Sequence, residues 1–257
     1  MSLTKTILKF AAPVPKIESF QKYMFIGPHP DDIEIGAGGT IAALHQAGKE
    51  ICFVICTDGR YGLNNAPQGT APEELIEIRK QESIESARTL GVTDVTFLGF
   101  CDGGFYKPED LRSALAIIIG EKKPDIIFAP DPSVISECHI DHLNTGTAAR
   151  TVAFFAPFKE IMAQYGAQSA PVQAIAFYMT AKPNRYVKTA SYLSQQYHAI
   201  FGCHKSQFPE GCPDISSISL YLKLRAYDFG IRSMKGQAEG FRVLGTTHMH
   251  CLPEAGE

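Results

Sequence analysis

The chain has 257 residues, enough for one α/β domain or two small ones, and its 45% hydrophobic and 20% charged residues are an ordinary globular balance. A net charge of −3 without a long basic run argues against nucleic acid or an anionic membrane surface as a partner. No apolar run approaches the roughly 18 residues that a membrane-spanning helix needs. The seven cysteines are an odd number without a Cys-x-x-Cys pair, so they read as reduced thiols in a cytoplasmic protein.

Residues 1–20 have their apolar runs broken by Lys5 and Lys9, which makes a poor signal peptide; they read as an extension packed on the surface. The first strand is Tyr23–Ile26. Gly27-Pro28 breaks it, His29-Pro30-Asp31-Asp32 follows, and after Gly36, Gly38 and Gly39 a helical pattern starts at Thr40. A second strand, Ile51–Cys56, is apolar enough to be covered on both faces. It leads through Asp58-Gly59, explicable as a turn alone, into a polar loop from Tyr61 to Pro72 with the character of a lid or substrate loop.

A helix opens at Pro72 with acids in its first turn, runs to Leu90 and stops at Gly91. On a surface helix, Arg79 and Glu82 would be a weak i,i+3 ion pair. Strands at Val95–Leu98 and Asp125–Pro130 enclose a helix over Glu109–Gly120, and another helix starts at Leu143. The final third contributes one strand, Ala174–Met179, and helical stretches over Ser191–Lys205 and Ser217–Gly236. One domain over 1–257 is expected, with 245–257 as a C-terminal tail.

Strand–helix alternation predicts an α/β, Rossmann-like, mostly parallel sheet with helices on both faces and strand order 3-2-1-4. Ligands bind at the carboxyl edge of such a sheet, where the order reverses between strands 1 and 4. Both polar clusters leave the sheet there: His29-Pro30-Asp31-Asp32 from the first strand and His139-Ile140-Asp141-His142 from the fourth. A dinucleotide fingerprint fails, because Gly36-x-Gly38 would require glycine at Ile41 and two carboxylates would face the pyrophosphate. Histidine and aspartate are instead good ligands for a divalent metal, zinc above all. The isolated His45, His198 and His204 read as chance surface residues, and His248-Met249-His250-Cys251 as an adventitious tail motif.

His29-Pro30-Asp31-Asp32-x-Glu34-x-Gly36-x-Gly38-Gly39-Thr40, with His139-x-Asp141-His142 downstream, resembles the PIG-L/LmbE-type zinc-dependent N-deacetylases. Thr57-Asp58-Gly59, Arg79-x-x-Glu82, Asp102-Gly103, His204-Lys205-Ser206-Gln207 and Ala238-Glu239-x-Phe241 follow in the family's order. Many members carry glutamate directly after the paired aspartates, whereas this chain has Ile33 and then Glu34, as in a branch that includes bacillithiol-pathway deacetylases. The resemblance implies that His29, Asp32 and His142 bind one zinc ion per subunit and that Asp31 is the general base. Protonated His139 would stabilise the oxyanion, oriented and charged by Asp141, while Arg79 and Asp102 would touch the sugar or its aglycone. Arg185 is a further substrate candidate. The implied reaction removes acetate from an N-acetylglucosamine-containing small molecule, in a cytoplasmic homo-oligomer, trimer or hexamer. A metal-dependent amidase or phosphoesterase on the same scaffold, and a non-catalytic sugar- or metal-binding protein, are the alternatives.

Overall fold

The computed structural model describes residues 3–250 and residue 252, so Cys251 lies outside the described residues. After α1 (Leu3–Ala11) come β1 (Lys22–Gly27), α2 (Asp32–Gln46), β2 (Glu50–Thr57), α3 (Pro72–Thr89), β3 (Asp94–Phe100), α4 (Pro108–Lys122) and β4 (Ile126–Pro130). These are followed by α5 (Ile140–Phe155), α6 (Lys159–Gln164), β5 (Ala174–Tyr178), β6 (Arg185–Lys188), α7 (Leu193–Tyr197), α8 (Pro213–Ser233) and β7 (Ala238–Gly245). A π-helical turn over His198–Cys203 continues α7.

The seven strands form one sheet in the order β3-β2-β1-β4-β5-β7-β6. Strands β1 to β5 are parallel, and β7 and β6 add on antiparallel. The expected 3-2-1-4 order is therefore present, with β1 paired to β2 on one side and β4 on the other. Alternate residues of β1 enter opposite cores. Tyr23 and Phe25 join Phe53, Phe128 and Ile41 on one face, while Met24 and Ile26 join Val54, Ile127 and Leu115 on the other. The Phe25 and Phe128 rings stack with centroids 4.3 Å apart. Burial on both faces is why these strands are continuous apolar runs rather than alternating ones.

Several boundaries differ from the sequence reading. Helix α2 starts at Asp32, eight residues before Thr40, so the glycines lie inside it. They are there for close approach: a Cβ on Gly36 would stand 2.3 Å from the Tyr178 ring, and one on Gly39 2.8 Å from Thr189. Helix α5 starts at Ile140 instead of Leu143, which puts Asp141 and His142 in its first turn with His139 as N-cap. Strands β6 and β7 were not foreseen; glycine and charge in Ala238–Gly245 hide its pattern, although it sits between β5 and β6. The stretch from Ser191 to Lys205 is not one helix but α7 plus the π-helical turn. Arg185 is held by the segment ahead of β1. Its Nε donates to Pro15 O at 2.9 Å and its Nη2 to Val14 O, which fastens the N-terminal segment. His248 Nε2 lies 2.9 Å from Ala12 O, so the tail histidine has the same local task. No helix among the described residues is long and apolar enough to cross a membrane.

Candidate metal centre and active site

β1 ends at Gly27, and the chain turns through His29-Pro30 before α2 begins. At Asp31, the residue before that helix, the backbone takes φ 110° and ψ −27°. A positive φ at a residue with a Cβ costs on the order of 1–3 kcal/mol and persists only where surrounding contacts impose it. Here Arg79 imposes it. Its Nη2 donates to Pro30 O at 2.6 Å and lies 3.2 Å from Asp31 Oδ2, while Nη1 donates to Gly59 O at 3.0 Å. Arg79 is only 4% exposed. It therefore joins the loops after β1 and β2, and it is not the weak surface ion pair that its place on the helix suggests. Its expected helical partner Glu82 instead accepts from Ser206 N and Oγ, both at 2.7 Å.

The two polar clusters do converge. Asp32 Oδ2 lies 3.1 Å from His29 Nδ1 and 3.3 Å from His142 Nε2, and it accepts from His29 N at 3.0 Å. Burial alone would raise the Asp32 carboxyl, yet the charge and hydrogen bonds of His142 and His29 hold it well below the usual carboxylate range. A second group, His29, Asp102, His139 and Asp141, gathers around the opposite ring nitrogen of His29. His29 Nε2 is 3.2 Å from Asp102 Oδ1 and 3.1 Å from Asp141 Oδ2. Burial opposes charge on His29, but Asp102, Asp141 and Asp32 together push its pKa well up.

The donor chemistry distinguishes the two groups. Asp141 already accepts from Gly103 N at 2.8 Å and Gly104 N at 2.9 Å, and the Nδ1 of His139 accepts from Asp141 N at 3.3 Å. That second set is occupied by its own hydrogen bonds. In the first set the donor atoms turn toward one another at 3.1 and 3.3 Å. A tetrahedral zinc site with bonds near 2.0–2.1 Å sets its ligand atoms roughly 3.3 Å apart. Each histidine of this set also faces a carboxylate with its other nitrogen, as metal-bound imidazoles commonly do. For His29 these are Asp102 and Asp141. For His142 it is Glu137, whose Oε2 is 3.1 Å from Nδ1 at an angle too bent for a hydrogen bond. The residues fit a divalent metal held by His29, Asp32 and His142.

Two expected roles change with this geometry. Asp102, expected at the substrate, is buried, holds His29 and accepts from Tyr61 N at 3.2 Å. Asp141 attends His29 more closely than His139, whose Nδ1 is 3.7 Å from Asp141 Oδ2. Instead of being charged by Asp141, His139 is held below its ordinary pKa by burial and by the neighbouring His29 and His142. His139 remains part-exposed, its ring centroid 4.5 Å from that of His29. The Asp31 carboxyl moves the other way. Burial lifts it to about 6 although Arg79 pulls it down.

Glu137 was missed by the sequence reading; its only signal is an acid two residues before His139, whose N–H it accepts at 2.8 Å. Asp58 is a turn residue clamped by Arg60, whose Nε donates to it at 2.9 Å. His204 is fully buried, 3.5 Å from Glu34 Oε1, contrary to the surface reading. The loop after β2 is anchored: Gln207 Nε2 donates to Gly62 O at 2.8 Å and Asn65 Nδ2 to Gln207 O at 2.9 Å. Around the mouth, Tyr61 and Phe105 are exposed and meet edge to face with ring centroids 6.0 Å apart. A cavity of about 250 Å³ adjoins the site through Glu137 and the first turn of α2, with Tyr221, Arg225 and Phe229 on its far wall.

Comparison with known proteins agrees with this geometry. Over its full extent the chain is similar to the diacetylchitobiose deacetylase of Thermococcus kodakarensis, with 31% identity across 98% of this chain and 93% of that protein. The structure superposes on N,N'-diacetylchitobiose deacetylase from Pyrococcus horikoshii, complexed with an inhibitor, with a TM-score of 0.85 and 31% identity, covering 97% of this chain and 96% of that one. A 4-carboxy-2-hydroxymuconate hydratase from Pseudomonas putida shares the fold alone, at TM-score 0.72 and 16% identity over 87% of this chain and 96% of that one. Residues 24–153, which carry both polar clusters, match the family model described as PIG-L, GlcNAc-PI de-N-acetylase, and the chain belongs to that family.

Proposed function

We propose that this chain hydrolyses the N-acetyl group of an N-acetylglucosamine-containing glycoside or oligosaccharide, releasing acetate and a free amine, with zinc as its metal. The observation that carries this reading is Asp31, a strained, part-buried carboxylate adjacent in sequence to Asp32 of the His29–Asp32–His142 group. A passive sugar- or metal-binding site would not need the backbone strain that sets this second carboxylate beside the ligands.

His29, Asp32 and His142 would hold the metal. Bound there, a divalent metal polarises the acetamide carbonyl and lowers the pKa of water. Asp31 then takes the proton from the attacking water, and a pKa near 6 leaves it ionised yet basic at neutral pH. With the Asp141 N–H donating to Nδ1, the neutral His139 carries its proton on Nε2, where it can donate to the developing oxyanion. As the C–N bond breaks, the proton held by Asp31 passes to the leaving nitrogen. Arg79 positions Asp31, and Asp102 and Asp141 position His29. The exposed Tyr61–Phe105 pair offers the apolar face on which a pyranose ring stacks. The same reading makes the protein a cytoplasmic homo-oligomer acting on a small amino sugar.

The test is amine release from N-acetylglucosamine, diacetylchitobiose and other N-acetylglucosaminides, using protein as purified, after chelation and after zinc return. Activity should vanish with chelation and return with zinc. Stoichiometric zinc binding without amine release from any of these substrates would overturn the proposal.

A further inference from the structure

The order of the strands gives the metal group two different flanks. His29 and Asp32 follow β1 and His142 follows β4, at the middle of the order β3-β2-β1-β4-β5-β7-β6. Tyr61 and Phe105, on the loops after β2 and β3, stand to one side. To the other side lies the cavity of about 250 Å³, framed by Val134 and Glu137 after β4, Met179 after β5 and the first residues of β7. β7 runs antiparallel to β5, so its start belongs to the same carboxyl edge of the sheet. Glu137 is the join between site and cavity. Its Oε2 is 3.1 Å from His142 Nδ1, and the residue also lines the cavity.

The charged residues of the cavity wall are already engaged. Glu239 accepts from Gly39 N, Thr40 N and Gln196 Nε2 at 3.0, 2.7 and 2.9 Å. Arg225 donates to the Tyr221 hydroxyl at 2.5 Å and to Thr180 O at 3.3 Å, and its guanidinium lies 4.9 Å from the centre of the Phe229 ring. Glu137 accepts from His139 N at 2.8 Å and turns its other oxygen to His142. Polar groups whose partners are in place gain little from a ligand. What the wall still offers is apolar, from Ile35, Val134, Met179, Leu222, Ala226 and Phe229. Met179 is held there at φ 51°. Among the described residues, the side-chain-bearing positions with positive φ are Met179, Asp31 and the helix C-caps Lys123 and Met234. The two that are not C-caps stand in the cavity wall and beside the metal ligands, and backbone strain of this kind gathers where ligands bind.

We propose that this cavity is an acyl pocket, and that the chain hydrolyses N-acyl amino sugars whose acyl group is longer than acetyl. With the sugar on the Tyr61–Phe105 face and the amide at the metal, the reading on which this rests, the direction of the chain is fixed. A trans amide sends the groups on its nitrogen and on its carbonyl carbon opposite ways. A sugar on one flank therefore aims its acyl chain at the other, past Glu137 and into the cavity. An apolar cavity of about 150 Å³ holds benzene, so this one has room for a chain of roughly six carbons. The bonds made and broken are those of deacetylation. Water adds at the acyl carbon, the C–N bond breaks, and the water supplies the acid's oxygen and the amine's proton.

Amine release from N-acetyl-, N-butyryl-, N-hexanoyl- and N-decanoylglucosamine by the zinc-loaded protein tests this. KM should fall as the chain lengthens to hexanoyl, by up to about fourfold for each methylene buried. The gain should stop before decanoyl, which outgrows the cavity. Ala226→Leu fills the cavity wall and should lower kcat/KM for the hexanoyl substrate by about tenfold or more, the usual effect of a misfitted methylene, with the acetyl value unchanged. Leu222→Trp, at a part-buried position, blocks the same space without a change in the packed interior and serves if circular dichroism shows that Ala226→Leu misfolds. Hydrolysis of the acetyl substrate but of none of the longer ones would overturn the acyl pocket and leave the deacetylase reading standing. Release from none of the four would overturn both. An equal loss on every substrate in a folded blocking variant, or a loss on diacetylchitobiose without one on the hexanoyl substrate, would also overturn the pocket, since the cavity would then serve the fold or a second sugar.

Discussion

Arg79 and Asp31 form a buried contact, 3.2 Å between Nη2 and Oδ2, that joins α3 to the strained turn ahead of α2. The same guanidinium donates to the carbonyls of Pro30 and Gly59. It therefore fixes where the Asp31 carboxylate stands and opposes the rise in pKa that burial gives that group.

Asp31→Asn keeps the side-chain shape and removes the proton acceptor. The expected result is a fall in kcat of roughly 10²- to 10⁴-fold, the usual contribution of a positioned general base. Zinc content by elemental analysis should not change. In the wild type, kcat/KM should fall on acidification through a limb at or below about pH 6, because Asp31 must be ionised to act, burial lifts it to about 6 and a bound cation draws it lower. A full rate for Asp31→Asn would remove it from the chemistry.

Arg79→Met separates positioning from substrate contact. Losing Arg79 removes the strongest influence that lowers the Asp31 pKa, so the acid limb of kcat/KM should move to higher pH. The variant should also lose about 1–3 kcal/mol of stability, as two buried carbonyls and a carboxylate lose their donor. A rise in KM with the pH profile and urea midpoint unchanged would instead restore the direct sugar contact expected from the sequence.

What the sequence disclosed follows from how local each determinant is. Apolar runs and turn residues are local, so β1 to β5 and the 3-2-1-4 order of the first four were readable, and the convergence of His29, Asp32 and His142 followed from that order. Determinants that lie far along the chain were not. Glu239 accepts from Gly39 N at 3.0 Å and Thr40 N at 2.7 Å, contacts within α2 made from β7. No local pattern around Gly39 announces such a partner, and the glycines were mistaken for a loop. The stretch His204–Gln207 is similar: His204 meets Glu34, Ser206 meets Glu82 and Gln207 meets Gly62, so three polar side chains serve packing. Arg79 and Asp102 stand out in the sequence, but the residues they meet, Asp31, Pro30 and Gly59 for one and His29 for the other, are set by the fold.

Asp141→Asn addresses the carboxylate behind His29. It should weaken zinc affinity by about 10- to 100-fold, the usual cost of losing the hydrogen-bond partner of a metal-bound histidine. Competition with a chromophoric chelator measures this. If Asp141 instead acted chiefly on His139, affinity would hold and only kcat would fall.

Glu34 accepts from Ser86 Oγ at 2.6 Å and lies 3.5 Å from His204 Nε2. Burial opposes charge on His204, yet the hydrogen bond and charge of Glu34, aided by Asp31, raise its pKa above the ordinary value. A histidine whose folded pKa is raised contributes stability in full below its unfolded value of about 6.5 and loses that contribution as pH rises through the folded value. Glu34→Gln should therefore cost about 1–3 kcal/mol on the acid side of that range. The loss should shrink toward alkaline pH, where His204 is neutral in either protein. Urea denaturation of both proteins across this range supplies the comparison. A penalty independent of pH would mean that Glu34 acts through Ser86 and packing alone, with no charge on His204.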